Sequence, residues 1–292
     1  MSGKYPFTPV LGWSVSRYDK FTTCKRQYYF DYYAKFDNEV PQHKLAFLKH
    51  LTSIPLEVGN LVHNTIAALL NRLKRSSDPI NTDKVLEYGR NLVDKAILSK
   101  TFQEIYYSQS EWLDADDLKH RVTLCLRNFF NSKWYEWLTN DTAVRRDQWV
   151  VEPEDYGEIR VKGLKAYCKV DFLFPMQDGT LCISDWKTGK ADAKKHTRQM
   201  NGYVLYAQDI FGVTANQVKP VVAYLGGTYD ELSINFSQGD LDEFAAQIAR
   251  ETDEMTQYCD TVRDNTPKPK DCFPQQTSNL CSYCNYRELC DI

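Results

Sequence analysis

Asp185 and Lys187 stand two positions apart in the run Thr-Leu-Cys-Ile-Ser-Asp-Trp-Lys, so on a strand both project from the side that carries Leu181 and Ile183. A second acid, Asp171, falls on the preceding apolar run, on the face shared by Tyr167, Lys169 and Leu173. A hairpin turn at Gln177-Asp178-Gly179 would bring it toward Asp185. Two carboxylates held together repel, and both stay ionised at neutral pH most readily around a hard divalent cation, so a Mg2+ or Mn2+ site follows. Such an ion lowers the pKa of a water and offsets charge growing on a phosphodiester, while an adjacent lysine steers the nucleophile or the phosphate. A second chemistry is written in thiols. Cys281, Cys284 and Cys290 form C-x-x-C-x-x-x-x-x-C, and Cys24 stands alone near the start, so a site using all four would staple the two ends together. Four thiolates suit a metal or a cluster, and the ligand set by itself leaves zinc and iron–sulfur both open.

Each pattern has a plain reading as well. D-x-K is a common tripeptide, and Asp171, Asp185 and Lys187 would then be solvated charges at strand ends. The basic residues Lys187, Lys190, Lys194, Lys195 and Arg198, with Lys162, Lys165 and Lys169 before them, would be a solvated face instead of a polyanion contact. Tyr28, Tyr29, Phe30, Tyr32 and Tyr33 are better read as core than as stacking platforms, because aromatic rings mostly bury area. The net charge of −3 and a pI near 6.0 exclude a chain that coats nucleic acid by overall basicity, so any polyanion must be met locally.

The 292 residues, 42% hydrophobic and 26% charged, suffice for one large or two modest domains with a real core. No apolar run approaches the ~20 residues that span a bilayer, and residues 1–10 carry neither a signal nor a transit pattern, so no membrane is involved and a cytoplasmic location is expected. Nine cysteines cannot all pair, and clustered thiols in a reducing compartment more often hold metal. No G-x-x-x-x-G-K-[ST] loop is present, so ATP-driven unwinding would come from a helicase partner.

The elements that must position these residues follow from periodicity. Aromatic and basic residues without Gly or Pro predict one helix over 14–36, capped by Ser14 or Ser16. Val58, Val62, Ile66, Leu69, Leu70 and Leu73 recur at helical spacing over 57–75, and two more helices are predicted over 83–99 and 111–138. The composition then turns to a β-meander over 148–151, 157–163, 166–174 and 180–187. A helix over 193–211, strands over 218–225 and 229–236, and a helix over 240–263 follow, before Pro267, Pro269 and Pro274 make an extended connector. Cys168 and Cys182 are expected to face the sheet core, Cys125 and Cys259 to be buried helix positions, and Cys272 to be a rival ligand.

The stretches Gly-Leu-Lys-Ala-Tyr-Cys-Lys-Val-Asp, ending at Asp171, and Asp-Gly-Thr-Leu-Cys-Ile-Ser-Asp-Trp-Lys-Thr-Gly, ending at Gly189, resemble the core of the PD-(D/E)XK nucleases, in their RecB-like branch. The resemblance implies that Asp171 and Asp185 bind the metal, that Lys187 is catalytic, and that the main chain at Trp186 adds an oxygen. Relatives often have Tyr or another β-former where Trp186 stands, and its side chain is expected to face away from the metal. Gly59 and His63 match that branch's G-x-x-x-H helix, which makes His63 a metal ligand, and Gln199 and Tyr203 match its Q-x-x-x-Y, implying contact with the lysine or the substrate backbone. The opening from Ser14 through Ser16 and Phe21 to Cys24 is similar to the S-x-S-x-x-x-x-F-x-x-C of the iron–sulfur subgroup, which includes AddB and the CRISPR-associated adaptation nucleases. In that subgroup Cys24, Cys281, Cys284 and Cys290 would hold a 4Fe-4S cluster.

Together these readings predict an α/β, restriction-endonuclease-like core with a mixed central sheet, a helical N-terminal region and a C-terminal iron–sulfur cluster lock. The expected division is 1–145 helical, 146–265 nuclease core and 266–292 cysteine-rich. The expected activity is metal-dependent DNA hydrolysis, exonucleolytic and on single strands, in repair, recombination, or CRISPR or phage DNA processing, with a helicase or CRISPR adaptation partner. Two rivals belong to other classes: a non-cutting DNA-binding or scaffold subunit that retains the fold, and an RNA or protein adaptor built on a zinc hairpin.

Overall fold

The computed structural model describes residues 4–140, 145–153 and 156–290; of the opening stretch read above, residues 1–3 lie outside the described residues. In chain order the helices are α1 (Val15–Thr23), α2 (Lys25–Tyr33), α3 (Gln42–Lys49), α4 (Ile54–Arg75), α5 (Thr82–Ser99), α6 (Gln103–Tyr106), α7 (Ala115–Phe130), α8 (Lys133–Asn140), α9 (Ala193–Phe211) and α10 (Gln238–Thr256). The strands are β1 (Val150–Val151), β2 (Glu158–Val161), β3 (Leu164–Tyr167), β4 (Phe172–Pro175), β5 (Leu181–Lys187), β6 (Val218–Tyr224), β7 (Asp230–Ser233), β8 (Cys259–Thr261) and β9 (Thr266–Pro267). Packing divides them into two units, one of Met1–Leu51, Glu158–Tyr167 and Asp242–Ile292, the other of Thr52–Gly157 and Cys168–Leu241.

The second unit holds a five-stranded sheet in the order β1-β4-β5-β6-β7. Only β5 and β6 run parallel, because α9 makes the long return that a parallel pair requires. Register assigns the faces. Cys182 and Trp186 of β5 share a side with Phe172 and Phe174 of β4 and with Val221 and Ala223 of β6. That side belongs to one core with the apolar stripe of α4 and with Val122, Leu126 and Phe129 of α7. The opposite side presents Asp185 and Lys187 toward α9. The mixed central sheet with preceding helices is the predicted α/β architecture, without the predicted iron–sulfur lock.

Helix α4 starts three residues before its periodic pattern. Ser53 caps it by accepting from the Leu56 amide, and Pro55 is tolerated in the first turn, where its missing N–H costs nothing. The predicted helix over 111–138 is two, since the Ser132 side chain accepts from Tyr135 N at 3.2 Å and restarts the chain as α8. The meander also differs from expectation. Its third run breaks after Tyr167: β3 pairs with β2 around Lys162 and Gly163, both at positive φ, and only β4 joins the large sheet. Gly157, at φ 66°, sits where a Cβ would lie 2.4 Å from the Cys168 carbonyl oxygen, so the chain leaves and re-enters the second unit at one tight crossing.

In the first unit the expected helix over 14–36 is broken at Cys24, whose φ of −158° and ψ of 115° are extended. Phe21 and Tyr28 explain the break. Their ring centroids lie 5.2 Å apart edge to face, whereas residues seven apart on a continuous helix are separated by roughly 10.5 Å along its axis. Tyr28, Tyr29, Phe30 and Tyr33 are buried, as expected of core, whereas Tyr32 is exposed. The C-terminal segment is tied to α2: Arg26 Nε donates to the Phe273 carbonyl at 2.8 Å and the Tyr286 hydroxyl to Asp31 at 2.9 Å. Helix α10 ends at Thr256, short of the predicted 263, and the β8–β9 hairpin follows with Asn265 at φ 51°. Cys259 is therefore buried on a strand, not on a helix, and Pro267 pairs in β9 instead of lying in an unpaired connector. Among the described residues no helix is long and apolar enough to cross a membrane.

Candidate active site

Strand alternation brings Asp185 and Lys187 to one face, and the Lys187 ammonium lies 2.6 Å from Asp185 Oδ2. Asp171 immediately precedes β4. Continuing the Phe172–Ser184 register by one pair sets it opposite Asp185, and its Oδ2 accepts the Trp186 amide at 3.0 Å. The expected meeting of the two hairpin arms is thus present. Asp185 is fully buried, with Oδ1 facing the Tyr203 hydroxyl at 3.3 Å and the Gln199 amide at 3.4 Å. Its Oδ2, although in ion-pair contact with Lys187, has no partner in hydrogen-bond geometry.

His63 reaches this pair from α4. Its Nε2 lies 2.8 Å from the Trp186 carbonyl oxygen and its Nδ1 3.5 Å from Asp171 Oδ1. Burial works against the charged ring, but Asp171, Asp185 and the Trp186 carbonyl outweigh it and raise the imidazole to about 9. These neighbours favour the protonated ring, and only the neutral ring can ligate. The aspartates move in opposite directions. Burial and then the charge of Asp171 push Asp185 up to about 6, against Lys187, whereas Asp171 is held below the usual carboxylate range despite burial by His63, Lys187 and the Trp186 amide.

Gln199 and Tyr203, one turn apart on α9, bond to each other at 2.5 Å and both face Asp185. The Trp186 side chain is buried edge to face on Phe129, 5.2 Å away, and so points away from the acids as expected. Gly226, just after β6, lets that loop approach the turn after β5, because a Cβ there would stand 1.9 Å from the Thr188 carbonyl oxygen. The site opens as a cleft of about 410 Å³ whose lining includes His63, Glu152, Lys169, Asp171 and Lys187. Lys165, grouped by sequence with Lys169 as a basic contact, is buried and paired with Glu158.

Three residues near the site carried no motif. His196, one turn before Gln199, is buried with Nδ1 2.9 Å from the Tyr224 hydroxyl, and Tyr224 is the β6 partner of Lys187. The i, i+3, i+7 spacing of His196, Gln199 and Tyr203 was the available signal for the first. Glu152 enters the cleft at a left-handed φ of 44°, which nothing in the sequence marks.

Within the first unit, Cys24, Cys281, Cys284 and Cys290 line one pocket together with Phe30 and Tyr286. Cys272 is exposed and lies outside that lining. Cys284 is pushed up to about 11, by burial first and then by the neighbouring Cys290 and Cys24. No disulfide is formed among the nine cysteines. Among the described residues, no group of three or more His, Cys, Asp or Glu side chains is drawn into metal-holding geometry at either place.

Both donor sets nonetheless fit such groups chemically. Beside the cleft, Asp185 carries a buried oxygen without a partner in hydrogen-bond geometry and neighbours a second acid, Asp171, a pairing that a hard divalent cation neutralises. In the pocket, four thiols line one cavity with no carboxylate among the lining residues.

A profile of the PD-(D/E)XK nuclease superfamily matches residues 12–291. No curated protein matches. Among solved structures, one titled as the crystal structure of SSO0001 aligns at 15% identity, with a TM-score of 0.32, over 64% of this chain and 78% of that one.

Proposed function

This chain belongs to the PD-(D/E)XK nuclease superfamily, and from that premise we propose that it hydrolyses DNA phosphodiesters in a metal-dependent reaction, as an exonuclease on single strands. The observation that supports the reading is the grouping of Asp171, buried Asp185 and Lys187 beside an open cleft that Asp171 and Lys187 line. Asp171, Asp185, the neutral form of His63 and the Trp186 carbonyl would hold Mg2+ or Mn2+. Bound there, the ion would lower the pKa of water and offset charge on the phosphate. Lys187 holds the attacking water or a phosphate oxygen in line. Gln199 and Tyr203 fix the rotamer of Asp185 through its Oδ1, which makes them positioning residues for the acid.

The finer parts of the reading rest on motifs. The exonuclease and single-strand assignments come from the RecB-like pattern of Gly59, His63, Gln199 and Tyr203, and the 4Fe-4S assignment over zinc comes from the opening that ends at Cys24. Cys24, Cys281, Cys284 and Cys290 would ligate that cluster as a structural lock. A role beside a helicase or CRISPR adaptation partner follows from the same subgroup.

End-labelled single-stranded DNA of each polarity, with open and blocked termini, tests the proposal in Mg2+ or Mn2+ against a chelator control. Processive shortening from an open end is expected. Intact DNA under all metal conditions would leave the chain a DNA-binding subunit on a nuclease fold.

A further inference from the structure

Three basic side chains line the cleft, and they differ in what holds them. Lys187 is committed to Asp185 at 2.6 Å, and His63 to Asp171 and the Trp186 carbonyl. Lys169, two residues before Asp171, is held by Glu152 Oε2 at 2.8 Å instead. Glu152 takes no part in the acid pair, and its presence is costly in a cleft meant for a polyanion, since it adds negative charge where phosphates must enter.

The backbone brings it there. Strand β1 pairs with β4 through Val150–Leu173 and Val151–Phe172, and the Glu152 amide keeps this alignment by donating to the Asp171 carbonyl at 3.0 Å. Its φ of 44° then turns the chain out of the strand, and its side chain lines the cleft beside Lys169 and Asp171. A non-glycine residue held in the left-handed region is the kind of local strain that accumulates at working sites. The pair is also easy to exchange: the Lys169 and Glu152 side chains are 46% and 28% exposed, so water screens their attraction and a phosphate oxygen can replace the carboxylate at little cost.

We propose that Lys169 is a phosphate-binding residue of the cleft, and that Glu152 occupies its ammonium in the free protein and yields it to a backbone phosphate of the entering strand. The carboxylate thus stands in for substrate and keeps the cation in position before DNA arrives. This rests on the nuclease reading above and adds a substrate subsite to it.

Anisotropy of a labelled single-stranded oligonucleotide, measured in chelator so that the strand stays intact, tests the exchange. E152Q should tighten binding about two- to fivefold, the range open to a partly exposed ion pair. K169A should weaken binding and lower the salt slope by about 0.7, the loss of one phosphate contact on a single strand. The double variant should match K169A, because the glutamate acts only through that lysine. Equal tightening by E152Q with and without Lys169 would reduce the effect to general charge and overturn the proposal. So would an E152Q protein that melts earlier and binds no better. A wild-type protein that binds no DNA at low salt would instead remove the nuclease reading, a result separable from failure of the exchange.

Discussion

The carboxylate cleft and the cysteine pocket both gather groups that repel when ionised, but they offset that repulsion in different ways. The cleft carries its own counter-charges. Lys187 faces Asp185, the His63 ring faces Asp171, and the Trp186 amide completes the second acid. The pocket has no such acid–base pairing: its lining is largely neutral, with Gln27, Ser278, Phe30 and Tyr286 around the four thiols, and Arg287 at its edge. The cleft is built on a central strand paired on both sides, the pocket on the break after α1 and on short turns near the end of the chain. The lesson is a division of labour. On the proposed reading, an ion in the cleft would serve chemistry and not folding, whereas a metal or cluster held by the thiols would contribute to folding itself.

Variants can break that comparison, beginning with the largest effect. Lys187→Ala and Asp185→Ala should each cut cleavage by about 10³-fold or more, a magnitude typical of losing one group that stabilises transition-state charge. Melting temperatures within a few degrees of wild type should accompany the loss, and a shared collapse of fold would erase the contrast. Cys284→Ser should do the reverse. Loss of bound metal or cluster should cost several kcal/mol of stability, given apparent energies of about 10 kcal/mol for structural metal sites, while exposed Cys272→Ser should change neither metal content nor melting. A brown preparation with broad visible absorbance would assign iron–sulfur, and a colourless one with stoichiometric zinc would correct it.

Trp186→Ala sharpens the picture from the core side. Removing a buried indole from its contact with Phe129 should destabilise by about 3–5 kcal/mol in denaturant titrations and also slow cleavage, since the same residue's main chain touches His63 and Asp171. The smallest expected effect lies in the first unit, at the buried Asp37. Burial pushes its carboxyl up, but the Val40 and Glu39 amides and Lys270 at 3.0 Å win and hold it below the usual range. Its stabilising contribution is therefore complete above about pH 3.9 and is lost as pH falls through the lower folded value. Lys270→Met should cost about 1–3 kcal/mol at pH 7, with a deficit that narrows below about pH 4.

What the sequence made legible was local. The side shared by Asp185 and Lys187 follows from strand alternation, and the approach of Asp171 follows from one hairpin register. The α4 stripe could be read from six apolar positions, although its true start depended on the Ser53 cap. His63 and Cys24 needed motif resemblance, because their partners lie more than a hundred positions away. The break at Cys24 was hidden by a run free of Gly and Pro; it is a tertiary override imposed by ring packing between Phe21 and Tyr28. The excision of the β2–β3 hairpin from the meander was hidden for a similar reason, since alternation reports a strand and not the sheet it joins. Glu152 was illegible because a left-handed glutamate has no compositional sign.

The claim at the centre is that Asp171 and Asp185 share one divalent ion. Anomalous scattering from crystals of this protein soaked in Mn2+ tests it most directly. A peak at roughly 2.1 Å from oxygens of both carboxylates, with the His63 ring turned from the Trp186 carbonyl toward the ion, is the predicted result. A protein that cleaves DNA in Mn2+ yet shows no peak between those two acids would contradict it.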